Sequence, residues 1–350
     1  MQLSGELAGS TILVKKPKEV GRLYTKSHFG TMLSGNILQL DLLEGVFLLD
    51  DQKIRIFQRR REIRFEELVI LASQQIPEFE IKYLVFKDLR NRGHALQVCK
   101  EEKPSTFSLF REKKDTTPPC FIATFSERDI LDIDAVHHLL EVIQKKNGML
   151  WFALVDEEGD LTYYDVTRID LKGTVTPHQY PRGTGVLLKN RLIVFDTTLS
   201  QELLQKEFFG KPFGQGLQLS FVEALYLLDQ KVLTIKTNTE KTLSKDQCIQ
   251  LMQKLQPDIL LRLNVFHDLK QRRLLVKTGF KFGTHFRVYT QQPDTTHAEY
   301  LVHIVEKGFT SIWAEISRGV RLAHSVNKDF IFARVDGDSI QYIKLGRLRP

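Results

Sequence analysis

VFKDLR at Val85–Arg90 recurs as VFHDLK at Val265–Lys270, a displacement of 180 residues. Three further pairs keep that spacing or come within one residue of it. Phe29-Gly30 returns as Phe209-Gly210, Val155-Asp156 returns as Val335-Asp336, and FLLDDQKIRI (Phe47–Ile56) returns as YLLDQKVLTI (Tyr226–Ile235). A glutamate, Glu44 or Glu223, stands three residues before each copy of the last motif. Anchors in one order at a near-constant offset identify a tandem duplication. Each half must then supply its own core.

The join falls in RIDLKGTVTPHQYPRGTGVLL (168–188), where Gly, Pro and Thr concentrate and no apolar period persists. On either side the halves read alike. EELVILASQQI and KDQCIQLMQKLQ carry helical periods, the second with Cys248, Leu251, Met252 and Leu255 as one apolar stripe. In LLRLNVFHDLKQRR the buried face is predicted to be Leu261, Val265, Phe266 and Leu269. Strand patterns follow in LLVKTG, HFRVYT, AEYLVHIVE, DFIFARVD and SIQYIKL. Between the third and fourth lies a helix, TSIWAEISRGVRLAHSV, with Thr310 or Ser311 as its expected N-cap. The predicted architecture is therefore α+β and duplicated. A small mixed subdomain (1–80) and a sheet domain (81–167) are joined by the linker (168–188) to a second subdomain (189–259) and a second sheet domain (260–350).

Composition narrows the function classes. The chain has 350 residues, 50 Lys+Arg against 43 Asp+Glu, a net charge of +7 and 42% hydrophobic residues. No run approaches the ~20 apolar residues that span a bilayer, and MQLSGELAGSTILVKK lacks the order of a signal peptide. A cytoplasmic location without membrane contact is expected. Cys99, Cys120 and Cys248 are too dispersed for a disulfide framework or a zinc site and are expected to pack as small hydrophobes.

A duplication carries its own control: residues needed for the fold persist in both copies, and site residues need not. Aligning Phe110-Arg111 with Phe286-Arg287 places Tyr289 opposite Lys113. Aligning FIAT (121–124) with YLVH (300–303) places His297 opposite Pro118. With Val155 on Val335, Lys328 falls opposite Gly148 and Arg321 opposite Glu141. The second half thus holds a polar set that the first lacks. It also carries a basic stripe: Arg262, Lys270, Arg272, Arg273, Lys277, Lys281 and Arg287 against Asp268 alone, interleaved with Phe280, Phe282 and Phe286. Such a stripe suits a polyanion whose bases stack on aromatics; it suits equally a solvated helix face above a phenylalanine core.

VKTGFKFGTHFRVY (276–289), HAEYLVHIV (297–305) and RLAHSVNKDFIFARVD (321–336) closely resemble the signature blocks of archaeal tRNA-splicing endonucleases. The two-repeat layout resembles the homodimeric class, whose first repeat is a non-catalytic copy of a nuclease-like domain. The resemblance implies a metal-independent endoribonuclease that excises introns from precursor tRNA at bulge-helix-bulge motifs, leaving 2′,3′-cyclic phosphate and 5′-hydroxyl ends. It implies a catalytic trio of Tyr289, His297 and Lys328, with no cofactor, no metal and no DNA substrate. Arg321 is implied to clamp a bulged base. Lys344 and Arg347 are the candidates for a second clamp, while Arg287 and Lys281 are candidate substrate contacts. Asp156, Glu157, Glu158 and Asp160 are implied to form a loop that docks into a basic cleft of the other protomer.

The chemistry suits these residue types. Attack by a 2′-hydroxyl needs a base, an acid for the leaving 5′-oxygen, and positive charge for the phosphorane. Histidine, titrating near 6.5, is a natural acid, and lysine supplies a compact charge. Tyrosine, near 10, needs cations such as Lys328 and Arg287 to favour its phenolate. Among the other histidines, His303 and His324 are expected to pack locally, and His285 either packs or touches phosphate. Two alternatives remain open at this level: a catalytically silent RNA-binding scaffold subunit, and a metal-dependent DNA nuclease. The second lacks the spaced carboxylates that it would need.

Overall fold

The computed structural model describes residues 3–99, 106–110, 120–292 and 297–350. It divides into two compact units, Met1–Thr167 with Thr310–Ala314 and Arg347–Pro350, and Arg168–Phe309 with Glu315–Gly346.

The first unit opens with β1 (Leu3–Ala8), β2 (Thr11–Val14), the short α1 (Pro17–Val20), β3 (Thr31–Leu33) and β4 (Ile37–Asp41). Next come α2 (Leu42–Asp50), β5 (Ile54–Gln58), β6 (Arg61–Glu62) and α3 (Phe65–Gln75). The strands form one sheet in the order β3-β4-β2-β1-β5-β6, in which only β1 and β5 run parallel. After α4 (Phe79–Asn91), a second sheet runs β7 (Ala95–Val98), β8 (Phe107–Phe110), β9 (Cys120–Ser126), β11 (Met149–Val155), β12 (Leu161–Arg168). Its central pair, β9 and β11, is parallel and is joined through β10 (Ile130–Asp132) and α5 (Ile133–Lys145). Asp132 caps α5 by accepting hydrogen bonds from the amides of Asp134 and Ala135.

The second unit repeats this plan. Its small sheet is β15-β16-β14-β13-β17, made from β13 (Gly183–Leu187), β14 (Leu192–Val194), β15 (Lys211–Phe213), β16 (Gly216–Leu219) and β17 (Leu233–Thr237). α6 (Thr197–Glu207), α7 (Phe221–Asp229), α8 (Lys245–Gln253) and α9 (Ile259–Gln271) accompany it. Its larger sheet runs β18 (Leu275–Thr278), β19 (Phe286–Tyr289), β20 (Tyr300–Glu306), β22 (Asp329–Asp336), β23 (Ser339–Leu348). β20 and β22 are parallel, and β21 (Thr310–Ile312) and α10 (Trp313–Ser325) connect them.

Three details differ from the sequence reading. β13 begins at Gly183, inside the expected linker, because two glycines that look like turn residues are strand positions crowded by leucines. A Cβ on Gly183 would lie 2.3 Å from a Leu199 methyl, and one on Gly185 would lie 2.4 Å from a Leu192 methyl. Thr310 and Ser311 are not caps; they lie in β21, which belongs to the first unit and pairs there with β10, and Trp313 of the same unit packs among Phe125, Phe152 and Tyr164. The α8 stripe is half as wide as expected. Cys248 and Met252 are buried, whereas Leu251 is exposed on the helix and Leu255 is exposed beyond its end at Gln253. Cys120 is buried like Cys248, and Cys99 is partly so; all three are free thiols.

The repeated glutamates explain why Phe-Gly recurs. Glu44 occupies the third position of α2, where its carboxylate accepts from the amides of Asp41 and Gly30; Glu223 does the same in α7 with Ser220 and Gly210. Gly30 and Gly210 have φ of +70° and +60°, and a Cβ on either would meet a backbone oxygen at 2.5 Å. The two carboxyls differ electrically. Burial pushes Glu44 up from 4.5 to about 7, against the hydrogen bonds from Gly30 and Asp41. Burial also pushes Glu223 up, but the charge of Lys277 and the bonds from Ser220 and Gly210 outweigh it and hold that carboxyl below its usual range.

A folded-state value above the unfolded one means that Glu44 stabilises the first unit most below pH 4.5, and that this contribution is lost as pH rises through about 7. The difference amounts to about 3 kcal/mol. Both tryptophans, Trp151 and Trp313, lie in that unit, so urea unfolding followed by their fluorescence reports on its surroundings. The stability deficit of Glu44→Gln should be smaller at pH 8 than at pH 5. Equal deficits would mean that Glu44 stays ionised throughout.

Candidate active site

Strand register gathers the site at one end of the second unit's larger sheet. Tyr289 closes β19 opposite Leu275, Val288 pairs with Tyr300 at the start of β20, and Tyr300 pairs with Asp329 at the start of β22. The end of β19, the approach to β20 and the residue before β22 therefore adjoin. Ala298 is their meeting point. The Lys328 Nζ donates to its carbonyl at 2.8 Å, Tyr289 packs in a small apolar cluster with it, and His297 precedes it in the chain. Tyr289 is 7% exposed, its ring seated on Val175, Leu275 and Phe208, while His297 is exposed.

The local field is cationic. Burial, with Arg287 and Lys281 nearby, holds the Lys328 amine below its ordinary value, against the pull of Glu299. The Glu299 carboxylate already accepts from the Thr290 amide at 2.9 Å and from its hydroxyl at 2.7 Å. The Arg287 guanidinium lies 5.9 Å from the Tyr289 ring centroid. A lysine ammonium has three donors and one is spent on Ala298, so two remain for an anion. Among the described residues, no group of three or more His, Cys, Asp or Glu side chains could hold a metal ion.

The strand pairings also correct the comparison of the two copies. Phe107 opposite Ile122 matches Phe286 opposite Val302, and Ala95 opposite Phe110 matches Leu275 opposite Tyr289. Tyr289 is therefore equivalent to Phe110, not Lys113, and Arg287 is equivalent to Ser108. Cys120, not Phe121, matches Tyr300, since both stand opposite the first residue of the following parallel strand. The Pro118 pairing of His297 thus shifts by one residue; Lys113 and Pro118 themselves lie outside the described residues. Lys328 stays opposite Gly148. At the tyrosine position the first copy keeps the ring and lacks the hydroxyl.

The remaining candidates are placed unevenly. Lys281 is exposed beside the site and Arg321 is exposed on α10. Lys344 is engaged with Asp329 at 3.1 Å, and Arg347 belongs to the first unit. Most of the basic stripe is structural. Lys270 is buried against Glu207, Lys277 is half-buried against Glu223, Arg262 pairs with Asp258 and Arg272 with Asp268. His285 is structural as well: its Nδ1 accepts from the Ile304 amide at 2.9 Å and its ring lies 4.8 Å from that of His303. Burial pushes it down to about 4. His303 in turn stacks on Phe330, and His324 is exposed on α10.

In the first unit, Asp156, Glu157, Glu158 and Asp160 form the β11–β12 turn. Asp156 Oδ1 accepts from the amides of Glu158 and Asp160, and Glu157 pairs with Arg128 at 2.6 Å. In the second unit, a cavity of about 800 Å³ is lined by Arg182, Lys231, Lys270 and Arg273, with His178 and His267. Its one carboxylate, Glu207, is taken by Lys270.

Sequence reasoning missed the support of Tyr289. Lys277 donates to the carbonyls of Phe208 and Gly210 at 2.8 and 2.7 Å and to Glu223 at 3.1 Å. Phe208, at φ +58°, sets its ring edge-on to Tyr289 at 6.2 Å. The linker contributes too: the Thr174 and Val175 amides donate to the carbonyls of Thr290 and Arg273. The available signal was the contrast of Lys277 with Gln97 at the same displacement of 180.

Comparison with known proteins agrees with this anatomy. The model of the tRNA intron endonuclease catalytic C-terminal domain matches residues 79–163 and 259–342, and that of the N-terminal domain matches 3–69 and 183–249. The chain belongs to the tRNA intron endonuclease family, with both domains present twice. It is 34% identical to the tRNA-splicing endonuclease of Methanococcoides burtonii over 358 residues, covering 99% of this chain and 100% of the relative. Identity to that of Methanosarcina barkeri is 32%, covering 98% and 99%, and to that of Halobacterium salinarum 29%, covering 99% and 100%. No helix among the described residues is long and apolar enough to cross a membrane.

Lys277→Met strips the counter-charge from a buried carboxylate, a change that costs about 3–5 kcal/mol. Amide hydrogen exchange in β18 and β19 should accelerate accordingly, and Lys277→Met combined with Glu223→Gln should recover part of the protection. Unchanged exchange in Lys277→Met would contradict the anchoring role.

Proposed function

We propose that this enzyme cleaves precursor tRNA at bulge-helix-bulge motifs without a metal, using Tyr289, His297 and Lys328. The observation that carries the reading is that Lys328 and Tyr289 both contact Ala298, the residue that follows His297. Tyr289, as phenolate, takes the 2′-hydroxyl proton, and the 2′-oxygen attacks phosphorus. The bond from phosphorus to the 5′-oxygen breaks as His297 gives that oxygen a proton. The products are a 2′,3′-cyclic phosphate and a 5′-hydroxyl. Lys328, flanked by Arg287 and Lys281, faces the charge that develops on the phosphorane. Arg321, exposed and without an ion pair among the described residues, serves the substrate base more readily than Lys344, which Asp329 already holds.

We assign the working form to a homodimer. The acidic 156–160 turn of one protomer suits the cationic cavity of its partner in charge. Val155 and Leu161 are separated by five residues, whereas their equivalents Val335 and Ile340 are separated by four, so the acidic turn is the longer of the two.

Incubation in EDTA with an end-labelled bulge-helix-bulge RNA tests the chemistry. Cyclic-phosphate ends are expected from the ribose substrate, and none when the attacking 2′-hydroxyl is replaced by hydrogen. Cleavage of the 2′-deoxy substrate, or loss of all cleavage in EDTA, would overturn the mechanism. Replacing Asp156 by Asn, Glu157 and Glu158 by Gln, and Asp160 by Asn should shift sedimentation toward monomer. An unchanged profile would remove the docking assignment.

A further inference from the structure

Phe280 is 87% exposed, far more than any other large apolar side chain among the described residues. It stands at the head of a one-turn helix, Phe280–Phe282, between β18 and β19. The turn is tightly built. Phe282 and Gly283 donate back to the Gly279 and Phe280 carbonyls at 2.8 and 3.1 Å, and the Gly279 amide donates to His285. A Cβ on Gly279 would lie 2.3 Å from the Thr284 hydroxyl oxygen, so the backbone closes on itself without room for a side chain. An aromatic ring is therefore held out in water by a backbone with little freedom, and packing does not account for its presence there.

Its chain neighbour is a cation. Lys281 follows it in the chain, with its ammonium 5.2 Å from the Phe282 ring, and Lys281 is close enough to depress the Lys328 amine together with Arg287. An exposed aromatic face next to cations that line a phosphate site is the pairing by which proteins hold unpaired nucleotides: the ring takes the base and the cations take the backbone.

We propose that Phe280 is a stacking platform for one unpaired nucleobase of the RNA, next to the phosphate held by Lys281 and Lys328. The inference rests on the reading of this site as the place of RNA cleavage. The ring carries no hydrogen-bonding group, so the platform accepts any base and selects for an unstacked one. Rigidity of the turn makes the contact inexpensive in entropy, since only the nucleotide is ordered.

The test uses the full chain and a bulge-helix-bulge RNA with 2′-deoxy residues at the cleavage positions, so that binding is read without reaction. Phe280→Ala should weaken binding by about tenfold to a hundredfold. Phe280→Trp should restore it and Phe280→Leu should not. The slope of affinity against salt should stay that of the wild type in all three, whereas Lys281→Ala should reduce it by about one. Abasic residues placed singly through the bulges should include one that weakens the wild type and leaves Phe280→Ala unaffected. Wild-type affinity in Phe280→Ala, or full rescue by Leu, would overturn the platform. So would a weakened variant whose sedimentation also changes, since that would make Phe280 a contact between copies of the chain. A wild-type protein that neither binds nor cleaves the RNA would instead overturn the underlying reading of the site.

Discussion

A carboxylate buried at the start of a helix must be fully partnered or protonated, and the second unit is organised around one that is partnered. Glu223 accepts two backbone amides and faces Lys277, and the same ammonium reaches the carbonyls of Phe208 and Gly210. That lysine is on β18, the strand paired with the tyrosine strand β19. One ion pair therefore fixes the helix start of the small subdomain, the glycine turn before it, and the phenylalanine against which Tyr289 rests. In the first unit burial raises the equivalent Glu44 carboxyl, and among the described residues Arg90 is the one cation that opposes the rise. The shared scaffold is electrically finished in the copy that carries the polar site.

The duplication also isolates that site. At three structurally equivalent positions the first copy has Phe110, Ser108 and Gly148 where the second has Tyr289, Arg287 and Lys328. The apolar frame around these positions is kept. What was added, or lost, is a hydroxyl, a guanidinium and an ammonium at one end of a sheet.

The duplication, the α+β class and nearly every strand of the second sheet domain were legible in the sequence, because repetition and period-2 alternation are local signals. The proposed trio comes from the signature blocks, that is, from the resemblance and not from any local period. Register was not: alignment by neighbouring motifs slipped Tyr289 onto Lys113, since the loops on either side of β8 and β19 differ in length and strand pairing does not show in a linear comparison. The basic stripe misled for a related reason. Lys270 and Lys277 look like surface charge until Glu207 and Glu223, 63 and 54 residues upstream, are seen to meet them inside the fold. For His285 the choice between packing and phosphate contact stayed open in the sequence, and an amide on the next strand decides it for packing. Long-range pairing decides the fate of a charge, and sequence alone records only its presence.

The most direct measurement is the single-turnover cleavage rate of Tyr289→Phe, which gives the second repeat the side chain that the first already carries as Phe110. If the difference between the copies is the difference between a reactive and a silent site, cleavage falls by about a hundredfold or more while RNA binding and the fold persist. A Tyr289→Phe enzyme that cuts at the wild-type rate would contradict the account.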